Sequence, residues 1–274
     1  MKTRKENSLQ NDSPGLVRWK TMRWGDPGPE DSLVVAEAPL EVVVDGHLVA
    51  VLMQTPGMEE ELAAGYCLGE GLISGVDVIA AVDVQPGENA PLRAVIRTHP
   101  SSDIDIERLS QPRFIRSGCA ADSPGDWACT LPPLGDGIRV TDVALQRSLR
   151  GLATAQEAYR TAGGIHAAGV FSASGEVAVA CEDIGRHNAV DKALGFCILR
   201  GISLADKFLL GTGRASYEFV TKSARLGVSV AVSLSSPTSL SVGLADVLNQ
   251  TLIGYLRPNR FTIYTHPWRV GRAD

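Results

Sequence analysis

The chain has 274 residues, 44% of them hydrophobic, enough to bury a full core and to build two modest domains packed together. A formal net charge of −5 argues against a general nucleic-acid binder, which would carry a basic excess, so any anionic ligand must be held by local groups. The five cysteines, Cys67, Cys119, Cys129, Cys181 and Cys197, are odd in number and sit in a chain too long for a small disulfide scaffold, which points to reduced thiols.

Residues 1–29 are polar and charged and end in the turn-rich Gly25-Asp26-Pro27-Gly28-Pro29; they read as a flexible tail with no apolar core of a signal peptide. No uninterrupted apolar stretch of roughly 18 residues exists to span a membrane, so the expected location is the cytoplasm. An N-terminal α+β domain is expected over 30–110. Leu40 to Val44 and Leu48 to Leu52 form a predicted hairpin around Asp45-Gly46, a strong turn signal. Thr55-Pro56-Gly57 ends the second strand, and Glu59-Glu60-Glu61 place negative charge in the first turn of a helix closed by Gly69 and Gly71. Short strands are expected at Val78 to Val84 and Leu92 to Ile96.

A loop rich in Pro, Gly and Ser, assigned here to 111–140, carries Cys119 and Cys129; loops of this length are functional or disordered. From 141 to 274 a second domain is expected. Thr141-Asp142 cap a helix predicted from Val143 to Arg160, with Leu145, Leu149 and Leu152 on one face. Strands at Ala167 to Phe171, Val177 to Cys181, Phe208 to Leu210, Ser229 to Leu234, Leu252 to Tyr255 and Phe261 to Tyr264 follow. They are interleaved with helices at His187 to Leu199, Ser216 to Leu226 and Leu240 to Asn249. Such alternation predicts a layered α/β domain with a largely parallel or mixed sheet.

Three strand ends lead through polar loops into helices: Glu182 to Asn188, Gly211 to Ser216, and Ser235 to Ser239. Ligands of α/β sheets bind beyond the carboxyl ends of strands, where helix N-termini offer free N–H groups to phosphate. Each loop alone also fits a plain turn; Arg186 and Arg214 favour an anion, because a guanidinium matches phosphate bidentately. Asp183 and Asp191 are equally placed to pair with those arginines as structural ions. His166 and His187 fit a hydrogen-bonded structural role as well as proton transfer, whereas His47 and His99 read as surface residues. Neither a zinc deaminase signature nor a close Cys or His pair is present, so no metal held by protein ligands is expected.

Cys67, Cys181 and Cys197 lie in apolar helix or strand patterns and read as small packed hydrophobes. Cys119 follows Arg113 and Arg116, whose positive field favours the nucleophilic thiolate, although a loop cysteine can also be incidental.

Taken together, Glu37-Ala38-Pro39-Leu40-Glu41, Thr55-Pro56-Gly57 through Glu70-Gly71, Gly163-Gly164-Ile165-His166-Ala167-Ala168, Glu182 through Lys192, Gly213-Arg214-Ala215-Ser216 and Arg260 through His266 resemble the FdhD family of formate dehydrogenase accessory sulfurtransferases. The resemblance runs in order from about Leu33 to His266. It implies a cytidine-deaminase-like second domain without zinc. It further implies a sulfur carrier that accepts sulfur from a cysteine desulfurase as a persulfide on Cys119 and passes it to a molybdenum cofactor, Mo-bis-molybdopterin guanine dinucleotide, for formate dehydrogenase. A homodimer is implied, with guanine nucleotide ends bound through Phe261, Thr262, Ile263, Tyr264, Thr265 and His266. Arg186, His187, Gly213, Arg214 and Ser216 in the donor loops fit the same ligand. One departure stands out: where the family carries a second loop cysteine, this chain has Asp122 in Ser117-Gly118-Cys119-Ala120-Ala121-Asp122. A cofactor chaperone without sulfur chemistry, or a hydrolase with Cys119 as nucleophile, are the alternative readings.

Overall fold

The computed structural model describes residues 15–86, 91–100, 102 and 131–272. Cys119 and Cys129 lie outside the described residues, as do Arg113, Arg116 and Asp122.

Order begins earlier than the tail reading of 1–29 expected. Strand β1 (Leu16–Thr21) pairs antiparallel with β2 (Glu30–Val35), from Leu16 opposite Val35 to Thr21 opposite Glu30. Leu16, Val17 and Trp19 supply the β-favouring side chains that the surrounding charge obscured, and Thr21 and Ser32 join their hydroxyls across the pair at 2.7 Å.

Strands β3 (Ala38–Val44) and β4 (His47–Gln54) form the expected hairpin. Asp45 and Gly46 take φ of 47° and 85°, the paired left-handed conformation a two-residue turn of this twist requires. Helix α1 (Glu59–Gly69), with its three glutamates in the first turn, covers the sheet completed by β5 (Ile79–Pro86) and β6 (Leu92–Thr98), in the order β4-β3-β6-β5. Leu40, Val42 and Ile96 meet Leu62, Ala63 and Tyr66 in this core.

Strand β7 (Val140–Thr141) leads into α2 (Asp142–Ala155), where Thr141 Oγ1 accepts from the Ala144 N–H as the expected cap. The single helix expected to Arg160 is in fact two. It breaks at Gln156 and resumes as α3 (Glu157–Ala162), because the Glu182 carboxylate accepts from the N–H groups of Ala158 and Tyr159, each at 2.8 Å, and starts a new helix there.

The larger sheet holds β8 (His166–Ser172), β9 (Val177–Asp183), β10 (Lys207–Gly211), β11 (Val230–Ser233), β12 (Thr251–Arg257) and β13 (Arg260–Ile263) in the order β13-β12-β11-β10-β8-β9. The central β10, β11 and β12 are mutually parallel and the flanking pairs antiparallel, so the sheet is mixed. Helices α4 (Arg186–Leu199), α5 (Tyr217–Arg225) and α6 (Ser239–Val247) bury Leu194, Val220 and Ala245 with Leu209, Ala231 and Leu252 on one face. Helix α2 buries Leu145 and Leu152 with Phe208, Leu210 and Val232 on the other. The result is a three-layer α/β/α arrangement.

The two units meet where α1 crosses α4. A Cβ on Gly65 would stand 2.0 Å from the Asp191 carbonyl oxygen, and one on Gly195 2.0 Å from that of Glu61, so the helices touch backbone to backbone. At the far end of the chain, fully buried Arg269 donates from Nη2 to Gly135 O at 2.8 Å and from Nε to Asp136 O at 2.6 Å, and β14 (Val270–Gly271) pairs with β7. No helix among the described residues is long and apolar enough to cross a membrane.

Candidate functional site at the carboxyl edge of the sheet

Because β8 runs antiparallel to β10 and β9 antiparallel to β8, the start of β8, the end of β9 and the ends of β10 and β11 all lie at one edge of the sheet. The loops after β10 and β11 are fastened to each other. Ala215 N–H donates to Ser236 O at 3.1 Å, Thr238 N–H to Ala215 O at 3.2 Å, and Ser233 Oγ to Gly213 O at 2.6 Å. The loop after β9 joins them, since Arg186 lies so close over Gly213 that a Cβ there would meet its side chain at 2.8 Å. Glycine at 213 is therefore required by the close approach of a side chain from a different loop.

Among the described residues, two donors at this edge lack a partner: Arg186 Nε and Ser216 Oγ are buried with no hydrogen-bond partner there, although Ser216 opens α5 and its side chain would ordinarily cap the helix. Arg214, in the same loop, is exposed. An anion at the α5 N-terminus would meet free backbone N–H groups, the helix dipole and both guanidiniums.

Both histidines have their pKa lowered. Burial, then Arg186, lowers His166 below the ordinary imidazole range against the pull of Asp183. Burial, then Lys222 and Arg186, takes His187 down to about 4. Thr212 Oγ1 accepts the Ala167 N–H at 2.9 Å and stands 3.3 Å from His166 Nδ1. Beside this pair opens a cleft of about 490 Å³ lined by Gln156, Tyr159, Gly164, Ile165, His166, Thr212 and Leu234. Gln156 and Tyr159 were invisible as site residues while α2 and α3 read as one helix; the Glu182 carboxylate that starts α3 at Ala158 and Tyr159 is distant in sequence.

Asp183 and Asp191 do not pair with the arginines. Asp183 Oδ2 is 2.7 Å from Lys192 Nζ and accepts the Thr55 N–H at 3.1 Å, while its Oδ1 accepts from Gly185 N–H and Asn188 Nδ2. Lys192 also donates to Thr55 O at 2.6 Å. Asp191 Oδ2 is 2.6 Å from Lys222 Nζ. Much of the Glu182 to Lys192 motif therefore fastens the N-terminal unit to the larger sheet, while Arg186 lies over Gly213 at the edge and His187 sits within the field of Lys222, Arg186, Glu218 and Glu70.

The Phe261 to His266 segment is divided. Phe261 and Thr262 follow Arg260 at the start of β13, at the carboxyl edge, with Thr262 opposite Gly254, and Ile263 stands opposite Ile253. A Cβ on Gly254 would meet both Tyr264 and Pro237 at 3.0 Å, which places the Tyr264 ring beside the β11 loop. Thr265 and His266 lie at the opposite edge. Thr265 is buried and its Oγ1 donates to Gln250 O at 2.6 Å, while His266 Nε2 is 2.9 Å from Asp246 O. The structure does not bring these two to the donor loops. Cys67, Cys181 and Cys197 are free thiols in the interior, and burial pushes Cys181 up to about 12 and Cys197 up to about 11, so packing is their role. Among the described residues no group of three or more His, Cys, Asp or Glu is arranged to hold a metal ion.

Residues 35–271 match the model of the FdhD/NarQ family. Curated relatives named sulfur carrier protein FdhD include that of Sulfurisphaera tokodaii, 35% identical over 245 residues, covering 88% of this chain and 92% of the relative. That of Anaeromyxobacter dehalogenans is 35% identical over 273 residues, 94% of each chain, and that of Thermoplasma acidophilum 32% identical over 250 residues. Among solved structures, a Desulfotalea psychrophila protein assigned as a formate dehydrogenase accessory protein superposes with a TM-score of 0.76 at 25% identity, covering 94% of this chain and all of the other.

Proposed function

Because the chain belongs to the FdhD/NarQ family, we propose that it is a cytoplasmic, homodimeric sulfur carrier required for formate dehydrogenase activity. In this reading the Cys119 thiolate attacks the outer sulfur of a cysteine desulfurase persulfide. The S–S bond of the donor breaks, its thiolate leaves, and a persulfide forms on Cys119 with no net change of oxidation state. That outer sulfur then passes to the molybdenum cofactor, Mo-bis-molybdopterin guanine dinucleotide, before the cofactor serves formate dehydrogenase.

The client is strongly anionic, and the observation that carries its placement is the pair of buried, unpartnered donors, Arg186 Nε and Ser216 Oγ, on adjoining loops at the carboxyl edge. Unmet buried donors cost free energy in the empty protein and return it when a phosphate arrives. Phe261, Thr262 and Tyr264 border the same edge and complete the guanine nucleotide site in this reading.

Mass spectrometry after incubation with a cysteine desulfurase and cysteine tests the carrier role. A single added sulfur on the peptide carrying Cys119 is expected. Protein that binds GDP yet never gains sulfur would instead favour the cofactor chaperone.

A further inference from the structure

We infer that Thr55, on the N-terminal unit, is a positioning residue for Arg186, acting through the turn that opens α4. The inference rests on the anionic-client reading above. It gives a task to the Thr55-Pro56-Gly57 motif, which that reading leaves without one.

Every polar group of Thr55 is engaged across the boundary between the two units. Its N–H donates to Asp183 Oδ2 at 3.1 Å, its O accepts from Lys192 Nζ at 2.6 Å, and its Oγ1 accepts the Ile184 N–H at 3.1 Å. The residues before it add to the grip: Met53 O accepts from Asn188 Nδ2 at 2.8 Å, and Gln54 Oε1 from Lys192 Nζ at 3.3 Å. The gripping loop is itself stiff. Pro56 confines the residue before it to extended backbone, and Glu59 Oε1 accepts the Gly57 N–H at 2.7 Å.

The turn held in this way is the one that places Arg186. Asp183 Oδ1 accepts from the Gly185 N–H at 2.8 Å and from Asn188 Nδ2 at 2.9 Å, so one carboxylate oxygen folds the start of α4 while the other is held by Thr55 and Lys192. Arg186 is the first residue of α4. Its stem has no slack beyond that point, since a Cβ on Gly213 would stand 2.8 Å from Arg186 Cβ and 3.0 Å from its Cδ. A small shift at Ile184 therefore drives the stem into the β10 loop or lifts it away, and Nε moves with it. Any residue at 55 could make the two backbone bonds. Only a side-chain acceptor can meet the Ile184 N–H, which is why a hydroxyl stands there.

Thr55→Val keeps the shape and both backbone bonds and removes the hydroxyl. Calorimetry with inorganic pyrophosphate on the full chain, at a temperature where every variant is folded, reads the position of Arg186; a loss of stability alone leaves the affinity of folded molecules unchanged. Thr55→Val should weaken pyrophosphate about tenfold, the lower end for a hydrogen bond to a charged group. Thr55→Ser, which restores the hydroxyl, should return to within about twofold of the parent, the spread expected of independent changes. Added to Arg186→Ala, Thr55→Val should cause no further loss, because both act through one guanidinium. Parent affinity in Thr55→Val, Thr55→Ser as weak as Thr55→Val, or losses that add to that of Arg186→Ala would each overturn the positioning role. Affinity lost in Arg186→Ala yet kept in Thr55→Val overturns that role alone, whereas a protein indifferent to both substitutions, or one that binds no pyrophosphate, overturns the anionic-client reading with it.

Discussion

Lys222 Nζ lies 2.6 Å from Asp191 Oδ2, with both side chains closed off from solvent. The same ammonium is 3.1 Å from Glu70, at the end of α1, and 5.2 Å from the Tyr66 ring. One lysine on α5 thus ties together α4 and the C-terminus of α1. Burial opposes its charge, but Asp191 and Glu70 outweigh burial and hold its pKa above the ordinary lysine range. Replacing it, as in Lys222→Met, leaves Asp191 buried without a counter-charge and should cost about 3–5 kcal/mol. Urea unfolding should show a lower midpoint with an unchanged slope. A loss smaller than about 1 kcal/mol would place the pair among surface-like contacts.

Acid stability should divide between His187 and Asp191. The unfolded chain protonates a histidine near 6.5, whereas folded His187 does so only at about 4, so stability present above 6.5 is lost as pH falls toward 4. Burial raises Asp191 from 3.8 to about 6, which acts oppositely: that stability is full below 3.8 and is lost as pH rises through 6. The two partly cancel in the parent protein. Comparing it with His187→Asn isolates the histidine: the variant should gain on the parent by up to about 3 kcal/mol between pH 6.5 and pH 4. A stability difference that is flat over this window would show that His187 is protonated as readily folded as unfolded.

Arg214→Ala should weaken GDP by about 1.5–3 kcal/mol, the range for a hydrogen bond to a charged group. Its side chain is exposed, so folding should be unaffected. The loss should shrink as salt rises, because an exposed charge is screened. Calorimetry at two ionic strengths reads both effects; unchanged affinity in Arg214→Ala and Arg186→Ala alike would remove the phosphates from this edge.

Local chemistry made the elements legible wherever it was sufficient. Asp45-Gly46 turns as a hairpin, Thr141 caps α2, and the apolar runs of β10 and β11 form the buried centre of the sheet. What sequence concealed depended on distant partners. The break at Gln156 is made by Glu182, and nothing near Gln156 announces it. The ion pairs depart from the sequence for a related reason: Asp183 and Asp191 are equally placed in sequence to pair with Arg186 and Arg214, yet the fold brings Lys192 to Asp183 and Lys222 to Asp191 instead. Thr265 and His266 are expected among the ligand residues because the family resemblance implies the whole Phe261 to His266 segment. A strand crossing the sheet necessarily carries its two ends to opposite edges.

The last prediction concerns the two cysteines outside the described residues, Cys119 and Cys129, ten positions apart. A second thiol able to reach a persulfide on Cys119 would attack its inner sulfur, form a Cys119–Cys129 disulfide and release hydrosulfide, so the cargo would be lost before delivery. A carrier needs one nucleophilic sulfur and is better served without a resolving partner. Asp122 at the position of the family's second loop cysteine agrees with this. Cys119→Ser should therefore abolish formate dehydrogenase activity in a strain lacking its own accessory protein, and Cys129→Ser should restore it in full. The same variants, incubated with a desulfurase and cysteine, should respectively lose and keep the added sulfur in mass spectrometry. Activity retained in Cys119→Ser, or lost in a folded Cys129→Ser, would show that delivery runs through a second thiol, and the single-carrier scheme would have to be abandoned.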